Sequence, residues 1–244
     1  MTSQDSLCVD ARIDPLLTEL REPVGVFLAD TAHPARSDLH DFIRTVFRLA
    51  HGARVDAFYP SLLGYVTERE LRAVVGYRAG LDASLFAEHY LDVAAEDLVT
   101  ARTGCTVARG DLVEVGNLAL RDPGHARWAI AATTAFLAAA GYRWVLFTAT
   151  RPLANAFRRL GLKPIRLADA DPARLPDGGA AWGRYYGQGP AVYAGDILAG
   201  AAKLQAAGRS GQPHLQDLLI AARRLGGHMA SACAHAACAH EPRS

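Results

Sequence analysis

Residues 112–148 restrict the fold of this chain more than any other segment. They contain an apolar run at 112–120, an alanine-rich run that starts near His125, and a second apolar run at 142–148. The β-branched and aliphatic residues predict a strand for each apolar run, and the continuous apolar character of the second predicts a strand covered on both faces. A strand, a helix and a strand in this order form a parallel βαβ unit with a right-handed crossover. The chain is therefore predicted to be an α/β protein with a mixed sheet.

The rest of the chain adds further strands and helices to this unit. The predicted strands cover residues 24–29, 62–67, 71–77, 163–167 and 192–197, and the predicted helices cover residues 37–51, 84–99, 125–140 and 152–160. The segment 58–60, Phe-Tyr-Pro, is interpreted as a break between elements. Glu88 and Asp92 are four residues apart in one predicted helix, where they form either a solvated face or a chelating pair.

The C-terminal segment differs in character from the rest. Pro213 can open a helix with a single apolar stripe formed by Leu215, Leu218, Leu219, Ala222 and Leu225. Such a helix packs back onto the domain, pairs with a second copy, or lies on a membrane surface. We expect one domain over residues 1–206 and an appendage over residues 207–244, which combines this helix with a partly disordered tail.

The tail contains four residues of the kind that bind soft metals. Cys233, His235, Cys238 and His240 are separated mainly by alanine. Together they have the donor atoms for one Zn²⁺ or Cu⁺, but alanine spacers supply no turn that would gather them. No metal is predicted, and a disordered tail is the alternative interpretation.

The charge of the chain is balanced overall and uneven locally. The formal net charge of +1 gives no general basic field, so nucleic-acid binding is not predicted. Residues 121–167, however, contain eight basic residues against one acid, a local charge of +7. This segment is either a set of solvated helix faces or a docking surface for a phosphorylated or acidic partner.

The sequence shows no signal for export or for crossing a membrane. The first residues carry acids where a signal peptide has a basic start and an apolar core. The most apolar helical run, 129–141, is shorter than the roughly 20 residues that a membrane span needs. The four cysteines do not suggest a disulfide framework in a chain of 244 residues. We expect a soluble, cytoplasmic protein for which membrane contact is possible and the oligomeric state is open.

Two features of the strand at 112–120 indicate a functional site. Glu114 lies within an apolar strand, and a buried carboxylate must be paired, protonated or chemically employed because burial without a partner costs several kcal/mol. Gly116 and Asn117 then weaken the strand and predict a bulge or a place where a ligand approaches the backbone. Glu114 and Asn117 are therefore the candidate catalytic residues. The alternative for Glu114 is an ion pair with a nearby arginine.

The turn that follows this strand is a candidate anion site. Arg121, Gly124, His125 and Ala126 lie where the strand ends and the next helix begins. A helix N-terminus presents unpaired backbone N–H groups and the positive end of the helix dipole to an anion.

Several long motifs in residues 20–200 resemble the thermostable hemolysin family. They are YLDVAAEDL at 90–98, VEVGNLA at 113–119, the segment 144–171, WGRYY at 182–186 and AVYAGDI at 191–197. The family name records lysis of red cells and does not specify a chemistry.

The middle of the chain also resembles the GNAT acyltransferase fold and its relatives, the acyl-homoserine-lactone synthases and N-acyl amino acid synthases. The resemblance implies a three-layer α/β/α sandwich with a splayed central pair of parallel strands. Arg121, Gly124 and Ala126 fit the family's pyrophosphate-binding pattern, although Pro123 removes one N–H donor from it. Asn155 matches the residue that contacts the pantetheine arm. Phe157 stands where the family has the tyrosine that protonates the leaving thiolate.

The same resemblance implies an N-acyltransferase. The acyl donor would be acyl-CoA or the acyl-phosphopantetheine of an acyl carrier protein, with no tightly bound cofactor, and the acceptor a small amino-acid-like amine. Glu114 would serve as general base, and a backbone N–H near Val115 or Leu118 would hold the oxyanion. The aromatic residues Trp182, Tyr185 and Tyr186 either line the substrate pocket or form a packed corner. The alternatives are a membrane-active hemolysin and a non-catalytic acyl-thioester binder, the second favoured by Phe157.

Overall fold

The computed structural model describes residues 20, 22–68, 70–208 and 213–238. The seven strands are β1 (Gly25–Ala29), β2 (Ser61–Val66), β3 (Leu71–Ala79), β4 (Leu112–Leu120), β5 (Trp144–Ala149), β6 (Ile165–Asp169) and β7 (Ala191–Asp196). The α-helices are α1 (Arg36–His51), α2 (Ala95–Thr103), α3 (Ala126–Ala139), α4 (Arg151–Arg159), α5 (Ile197–Gly208) and α6 (Pro213–Cys238). The strands form one sheet in the order β1-β2-β3-β4-β5-β7-β6, in which β4 and β5 are parallel and the other neighbours antiparallel.

Helices cover both faces of this sheet. On one face, α3, α5 and α6 share a core with β2, β3 and β4, centred on the fully buried Phe136. On the other face, α1 packs on β1 to β4, and α2 packs with β5 to β7. The predicted α/β/α sandwich with a mixed sheet is therefore confirmed, as is the parallel βαβ unit formed by β4, α3 and β5.

The predicted splay between the two parallel strands is also confirmed. β4 pairs with β5 only over residues 112–115, opposite 144–147, although both strands continue beyond the last pair. On its other side, β4 carries an extra residue opposite β3 between Gly116 and Ala119, and Asn117 there has a φ of 47°. The edge of β4 that faces β5 is thus unpaired from Gly116 onward, which leaves a gap in the middle of the sheet.

The prediction of one helix over residues 84–99 is wrong. The segment forms a 3₁₀ helix, Phe86–Tyr90, and then α2, with an extended connection between them. The Glu88 carboxylate accepts the N–H of Leu85 at 2.9 Å and that of Ala95 at 3.2 Å, so it caps both helices. Its charge is balanced by an ion pair with Arg109. Asp92 instead pairs with Arg174 at 2.7 Å, so Glu88 and Asp92 do not form a chelating pair on one helix.

The Glu88 carboxylate is expected to contribute stability that disappears in acid. The hydrogen bond from Arg109 holds its pKa at about 2, below the ordinary 4.5, so its contribution is present above pH 4.5 and lost as the pH falls toward 2. Glu88→Gln should lower the unfolding free energy by about 1–2 kcal/mol at pH 7 and by much less at pH 3. Urea unfolding at both pH values measures this. Asp92→Asn, which alters an exposed pair, is the control, and an equal loss for Glu88→Gln at both pH values would contradict the expectation.

The C-terminal helix packs onto the domain. Leu215, Leu218, Leu219 and Ala222 are buried in the core shared with α3. The domain boundary predicted after residue 206 falls within α5, and the division into a domain and an appendage remains a prediction. In the part of the chain that the structure describes, no helix has the length and apolar character to cross a membrane.

Candidate active site

A cavity of about 290 Å³ lies at the gap between β4 and β5. It is lined by Phe47 and His51 of α1 on one face of the sheet and by Ile130 and Leu137 of α3 on the other. Val115, which ends the β4–β5 pairing, lies between them. The cavity therefore reaches both faces of the sheet through the gap.

The two ends of the cavity differ in chemistry. On the α3 side the lining is mainly aliphatic and aromatic, and Phe157 stacks there on Phe147 with ring centroids 4.5 Å apart. On the α1 side the lining includes hydroxyl, imidazole and guanidinium groups, contributed by His51, Tyr59, Arg78, His89, Tyr90, Tyr185 and Tyr186. An apolar chain therefore fits one end and a small polar molecule the other.

Glu114 lies beside the polar end of the cavity, with only 1% of its surface exposed. Its carboxylate accepts the N–H of Phe86 at 2.7 Å and the N–H of Ala87 at 2.6 Å, at the start of the 3₁₀ helix. The Tyr59 side chain is close enough to this carboxylate to lower its pKa. The ion pair considered as the alternative role of Glu114 is not formed, because no arginine of the described chain lies within 4.0 Å of this carboxylate.

Tyr59 lines the cavity directly over β4. Its ring occupies the space above Gly116, where an added Cβ would lie 2.5 Å from the ring atom Cε2. A Cβ at Gly76 on the neighbouring strand would lie 2.9 Å from the Cβ of Tyr59. The close approach of the Tyr59 side chain therefore explains both strand glycines. For Gly116, the sequence predicted either a bulge or a ligand close to the backbone.

Asn117 fixes the backbone of the segment that carries Tyr59. Its Oδ1 accepts the N–H of Tyr59 at 2.9 Å, and its Nδ2 donates to the Ala57 carbonyl at 3.4 Å. From the other side, the Arg36 guanidinium donates to the carbonyls of Tyr59 and Pro60. Asn117 is 9% exposed and also lines the cavity. These contacts hold the Tyr59 segment in place, and a catalytic role of Asn117 stays a prediction.

The Glu114 carboxyl and the Tyr59 phenol have shifted pKa values. Burial raises the pKa of Glu114 above its ordinary value, opposed by the two backbone N–H groups, the Tyr59 hydroxyl and the charge of Arg78. Burial also raises the pKa of Tyr59 well above 10, and the negative charge of Glu114 raises it further. The pKa of His51 is lowered by burial and by the charge of Arg184, which favours the neutral imidazole.

Arg78 brings a positive charge to the same end of the cavity. It is the cross-strand partner of Glu114, and its guanidinium lies over the Tyr59 ring, 5.3 Å from the centroid. Its Nη1 donates to the Ser84 carbonyl at 2.8 Å. No carboxylate among the described residues lies within 4.0 Å of this guanidinium, so it can receive an anionic group of a ligand.

The predicted aromatic residues line the cavity together. Trp182, Tyr185 and Tyr186 form one wall, and the Tyr186 hydroxyl lies 2.6 Å from that of Tyr90. The loop is held against the end of α1, where the N–H of Arg184 donates to the His51 carbonyl at 2.8 Å. The three aromatic residues are thus packed against their neighbours and also line the cavity, and their contact with a substrate stays a prediction.

The predicted phosphate-binding turn does not present open N–H groups at residues 124–126. Gly124 donates to the Asp122 side chain at 2.7 Å, and His125 to the Asp122 carbonyl at 2.9 Å. The N–H of Ala126 donates to the Pro123 carbonyl. Arg121 points to the β2–β3 connection, where it donates to the Leu71 carbonyl at 2.9 Å and pairs with Glu70 at 3.2 Å.

Other predicted ligand-binding residues are divided between the cavity and the surface. Val115 and Leu118 line the cavity, and their role beside a donor thioester stays a prediction. Asn155 is on the exposed side of α4, where its Oδ1 accepts a hydrogen bond from Arg158 at 2.9 Å. His125 packs against Trp128, and its Nδ1 is buried with no hydrogen-bond partner among the described residues.

No three His, Cys, Asp or Glu side chains gather into a metal site within residues 20–238 as far as these are described. Of the tail residues considered as ligands, His240 lies outside the described residues. Cys233, His235 and Cys238 belong to α6, but their side chains are also outside the described part. Metal binding by the tail therefore remains open.

Sequence reasoning missed Tyr59, Arg78 and His51 at this site. Tyr59 precedes Pro60 and was interpreted as part of a break, and it is 58 positions from its partner Asn117. The sequence indicates this site only through the strand glycines Gly76 and Gly116. A glycine within a strand indicates that another group lies close to the backbone, but it does not identify that group.

Residues 29–201 match the family model described as thermostable hemolysin, which covers more than half of the chain. A search of curated protein sequences gives no match.

Solved structures with the same fold include three acyl-transferring synthases. FeeM, an N-acyl amino acid synthase from uncultured soil microbes, is 14% identical, with a TM-score of 0.52 over 78% of this chain and 98% of its own. The acyl-homoserine-lactone synthase LasI is 12% identical, with a TM-score of 0.51 over 78% and 96%. BjaI, a CoA-dependent acyl-homoserine-lactone synthase solved with SAM and isopentyl-CoA, is 13% identical, with a TM-score of 0.50 over 81% and 99%. At these identities the likeness shows the fold, and the predicted GNAT-like fold is confirmed.

Proposed function

This chain belongs to the thermostable hemolysin family, and we propose that it is an N-acyltransferase that moves an acyl chain from a carrier thioester to a small amino-acid-like amine. The observation that carries this proposal is the cavity through the gap between β4 and β5, which is apolar at one end and polar at the other. Glu114 lies beside the polar end as a proton acceptor for the amine. The fold shared with FeeM and BjaI, whose names specify acyl transfer, supports the proposal. We also propose that the protein is cytoplasmic.

The acyl donor fits the gap and the apolar end. The unpaired edge of β4 beyond Val115 leaves backbone groups that can pair with the amides of a pantetheine arm, and a backbone N–H near Val115 or Leu118 can hold the oxyanion. The acyl chain would then lie against Ile130, Leu137 and Phe157. A long apolar chain gains about 0.8 kcal/mol for each buried CH₂ group.

The donor is proposed to be acyl-CoA or an acyl carrier protein. A basic surface, formed by Arg151, Arg158 and Arg159 of α4, is exposed close to the residues of α4 that line the cavity. It suits both CoA phosphates and an acidic carrier protein. In the structure as described, the turn 121–126 has its Gly124 N–H occupied by Asp122, so pyrophosphate binding there would need Asp122 to release it.

The acceptor is proposed to bind at the polar end, where its carboxylate would accept hydrogen bonds from the Arg78 guanidinium. Arg78→Met should therefore raise the KM for an acceptor that carries a carboxylate by about 10- to 100-fold, because a charge-assisted hydrogen bond contributes roughly 1.5–3 kcal/mol. The KM for the corresponding amide, which has no negative charge, should change little. The measurement is the ratio of kcat/KM for the acid to kcat/KM for the amide. Any influence of Arg78 on Glu114 affects both acceptors equally and so does not change this ratio. An equal loss for the acid and the amide would contradict a carboxylate contact.

Thiol release tests the proposed activity. Purified protein is incubated with hexanoyl-, decanoyl- or palmitoyl-CoA, or the same acyl groups on an acyl carrier protein, together with a pool of amino acids and other small amines. Free thiol is followed with a chromogenic disulfide, and products are identified by mass. Amine-dependent thiol release with an N-acyl product supports the proposal, and no release from any donor overturns it.

Direct lysis of membranes is the second candidate, favoured by the family description. The apolar stripe of α6 that a surface-active helix would need is buried against α3, with Leu215 and Leu218 each 1% exposed. Leakage of a dye from liposomes by the protein alone would support direct lysis. Leakage only after donor and amine are added would indicate that the acylated product acts as a surfactant.

A further inference from the structure

We propose that Arg109 is a positioning residue for the reaction, which holds the segment 80–88 so that its backbone N–H groups stay on the Glu114 carboxylate. Arg109 begins the 3₁₀ turn that leads directly into β4, the strand that carries Glu114. It does not line the cavity, so it acts through other residues. This inference rests on the proposed acyl transfer, in which Glu114 is the base, and adds the residue that keeps this base in its hydrogen-bonded state.

Arg109 contacts three points of the segment that leads from β3 into the 3₁₀ helix. Its Nε donates to the Gly80 carbonyl at 2.8 Å, and its Nη2 donates to the Ala83 carbonyl at 3.4 Å. Its two Nη atoms also bind the two oxygens of the Glu88 carboxylate, with 2.9 Å between Nη2 and Oε2. A further contact, with Glu96 at 2.9 Å, reaches α2 and does not touch this segment. One guanidinium therefore holds the segment at its start, in its middle and at its end.

Glu88 transmits this hold to the residues that bind Glu114. Its Oε2 accepts the N–H of Leu85 at 2.9 Å in addition to the hydrogen bond from the guanidinium. The next two N–H groups along the chain, those of Phe86 and Ala87, donate to the Glu114 carboxylate at 2.7 and 2.6 Å. Three consecutive N–H groups are therefore divided between two carboxylates, and the guanidinium fixes the first of these carboxylates.

An arginine suits this position better than a lysine. The five N–H donors of a guanidinium lie in one plane, which allows a paired contact with Glu88 together with the contacts to the two carbonyls. A lysine ammonium carries the same charge on a flexible stem and has three donors, so it cannot make all of these contacts at once. Both side chains of the pair are partly buried, with 23% of Arg109 and 21% of Glu88 exposed.

The N–H groups of the segment act on the pKa of Glu114. Hydrogen bonds to a carboxylate favour its charged form, and here they lower a pKa that burial raises. The other titratable and charged groups that face Glu114 are Arg78 on β3, Tyr59 and Tyr90, whereas its neighbour on β5, Leu146, is apolar. Weaker hydrogen bonds from the segment should therefore raise the pKa of Glu114 further, as long as the carboxylate stays buried.

Two contacts that do not involve Arg109 keep the segment close to this carboxylate. Arg78 donates to the Ser84 carbonyl at 2.8 Å, and the Phe86 ring packs against that of Trp182 with centroids 5.9 Å apart. A weaker hold at residue 109 should therefore lengthen the hydrogen bonds to the carboxylate without exposing it to water.

Arg109→Lys tests this role, because it keeps the positive charge and removes the planar fork. With the best donor and amine from the thiol-release assay, the acidic limb of kcat/KM should move to higher pH by about one unit. Above this limb, kcat/KM should return to nearly the wild-type value, whereas a general structural defect would lower it at every pH. Arg174→Lys is the matched control and should leave the limb in place, because Arg174 binds Asp92 and the Leu91 carbonyl, just beyond the 3₁₀ helix.

A titration without substrate measures the same effect directly. The carboxyl carbon of Glu114 is followed by ¹³C NMR over the pH range in which the protein stays folded, and its signal is assigned by its absence in Glu114→Gln. The pKa of Glu114 should be higher in Arg109→Lys than in the wild type and unchanged in Arg174→Lys. This measurement needs no activity, so it separates the role of Arg109 from the acyl transfer.

The outcomes distinguish the two proposals. An upward shift of both the Glu114 pKa and the acidic limb in Arg109→Lys supports the positioning role. An unchanged or lowered pKa, or a limb that does not move with it, overturns this role and leaves the acyltransferase proposal standing. The absence of thiol release by the wild-type protein overturns the acyl transfer and, with it, any role of Arg109 in the reaction.

Discussion

Replacing Glu114 by glutamine is expected to lower kcat at pH 7 by about 10²- to 10⁴-fold while the affinity for the acyl donor stays unchanged. The carboxylate lies beside the polar end of the cavity, away from the apolar end proposed for the acyl chain, so it should contribute to the proton transfer and not to donor binding. Steady-state thiol release gives kcat, and a thermal shift with a non-hydrolysable donor analogue gives the affinity. Glu96→Gln, which removes a carboxylate from α2 outside the cavity lining, is the control.

The pH profile separates a chemical role of Glu114 from a structural one. The wild-type kcat/KM should rise with pH through the pKa of Glu114, which burial places above its ordinary value, because the base must be ionised. Glu114→Gln should lose this acidic limb. The variant also places an amide NH₂ opposite the N–H of Phe86 or Ala87, so we expect a loss of about 1–3 kcal/mol in stability, and kinetics should be measured well below its Tm. If kcat is unchanged, the neutral imidazole of His51 in the same cavity becomes the better candidate for the base.

Gly116→Ala should damage the site without touching any polar group. The new methyl would overlap the Tyr59 ring, because its carbon would lie 2.5 Å from Cε2 and 2.8 Å from the hydroxyl oxygen. Displacing the ring changes the shape of the polar end of the cavity, where the amine is proposed to bind, so kcat should fall by about 10²-fold. Overpacking should also lower the unfolding free energy by about 1–3 kcal/mol.

A double-mutant cycle identifies the cause of this loss. In a Tyr59→Ala background the overlap is removed, so Gly116→Ala should cost at least about 1 kcal/mol less in stability than in the wild type. Gly25→Ala is the matched strand control, because its methyl would lie 3.7 Å from the nearest atom. Equal costs in both backgrounds would show that Tyr59 does not lie over Gly116.

Much of the fold follows from local patterns in the sequence. The β4-α3-β5 unit was predictable because both strands are continuous apolar runs and the helix between them is rich in alanine. The gap between the strands was predictable from Gly116 and Asn117, since a glycine and a residue that tolerates positive φ mark an irregular strand. The helix predicted at 84–99 is wrong because Glu88 binds backbone N–H groups at two helix starts, which no helical periodicity reveals.

The site was less predictable because its partners are distant in sequence. The sequence identifies Glu114 as a buried acid. Its hydrogen-bond donors, the backbone N–H groups of Phe86 and Ala87, belong to a segment predicted to be a regular helix. Tyr59 has no local pattern that indicates a site. The sequence predicts free backbone N–H groups in the turn at 121–126, because it does not show that the Asp122 side chain accepts the Gly124 N–H.

The ratio of amide formed to thiol released, measured in one reaction, tests the central claim most directly. Purified protein is given an acyl thioester and a single amine, and N-acyl product and free thiol are quantified together by mass spectrometry and a thiol reagent. The proposed acyltransferase predicts one amide for each thiol and almost no thiol when the amine is omitted. Thiol release without amide, or no release with any donor, would contradict it.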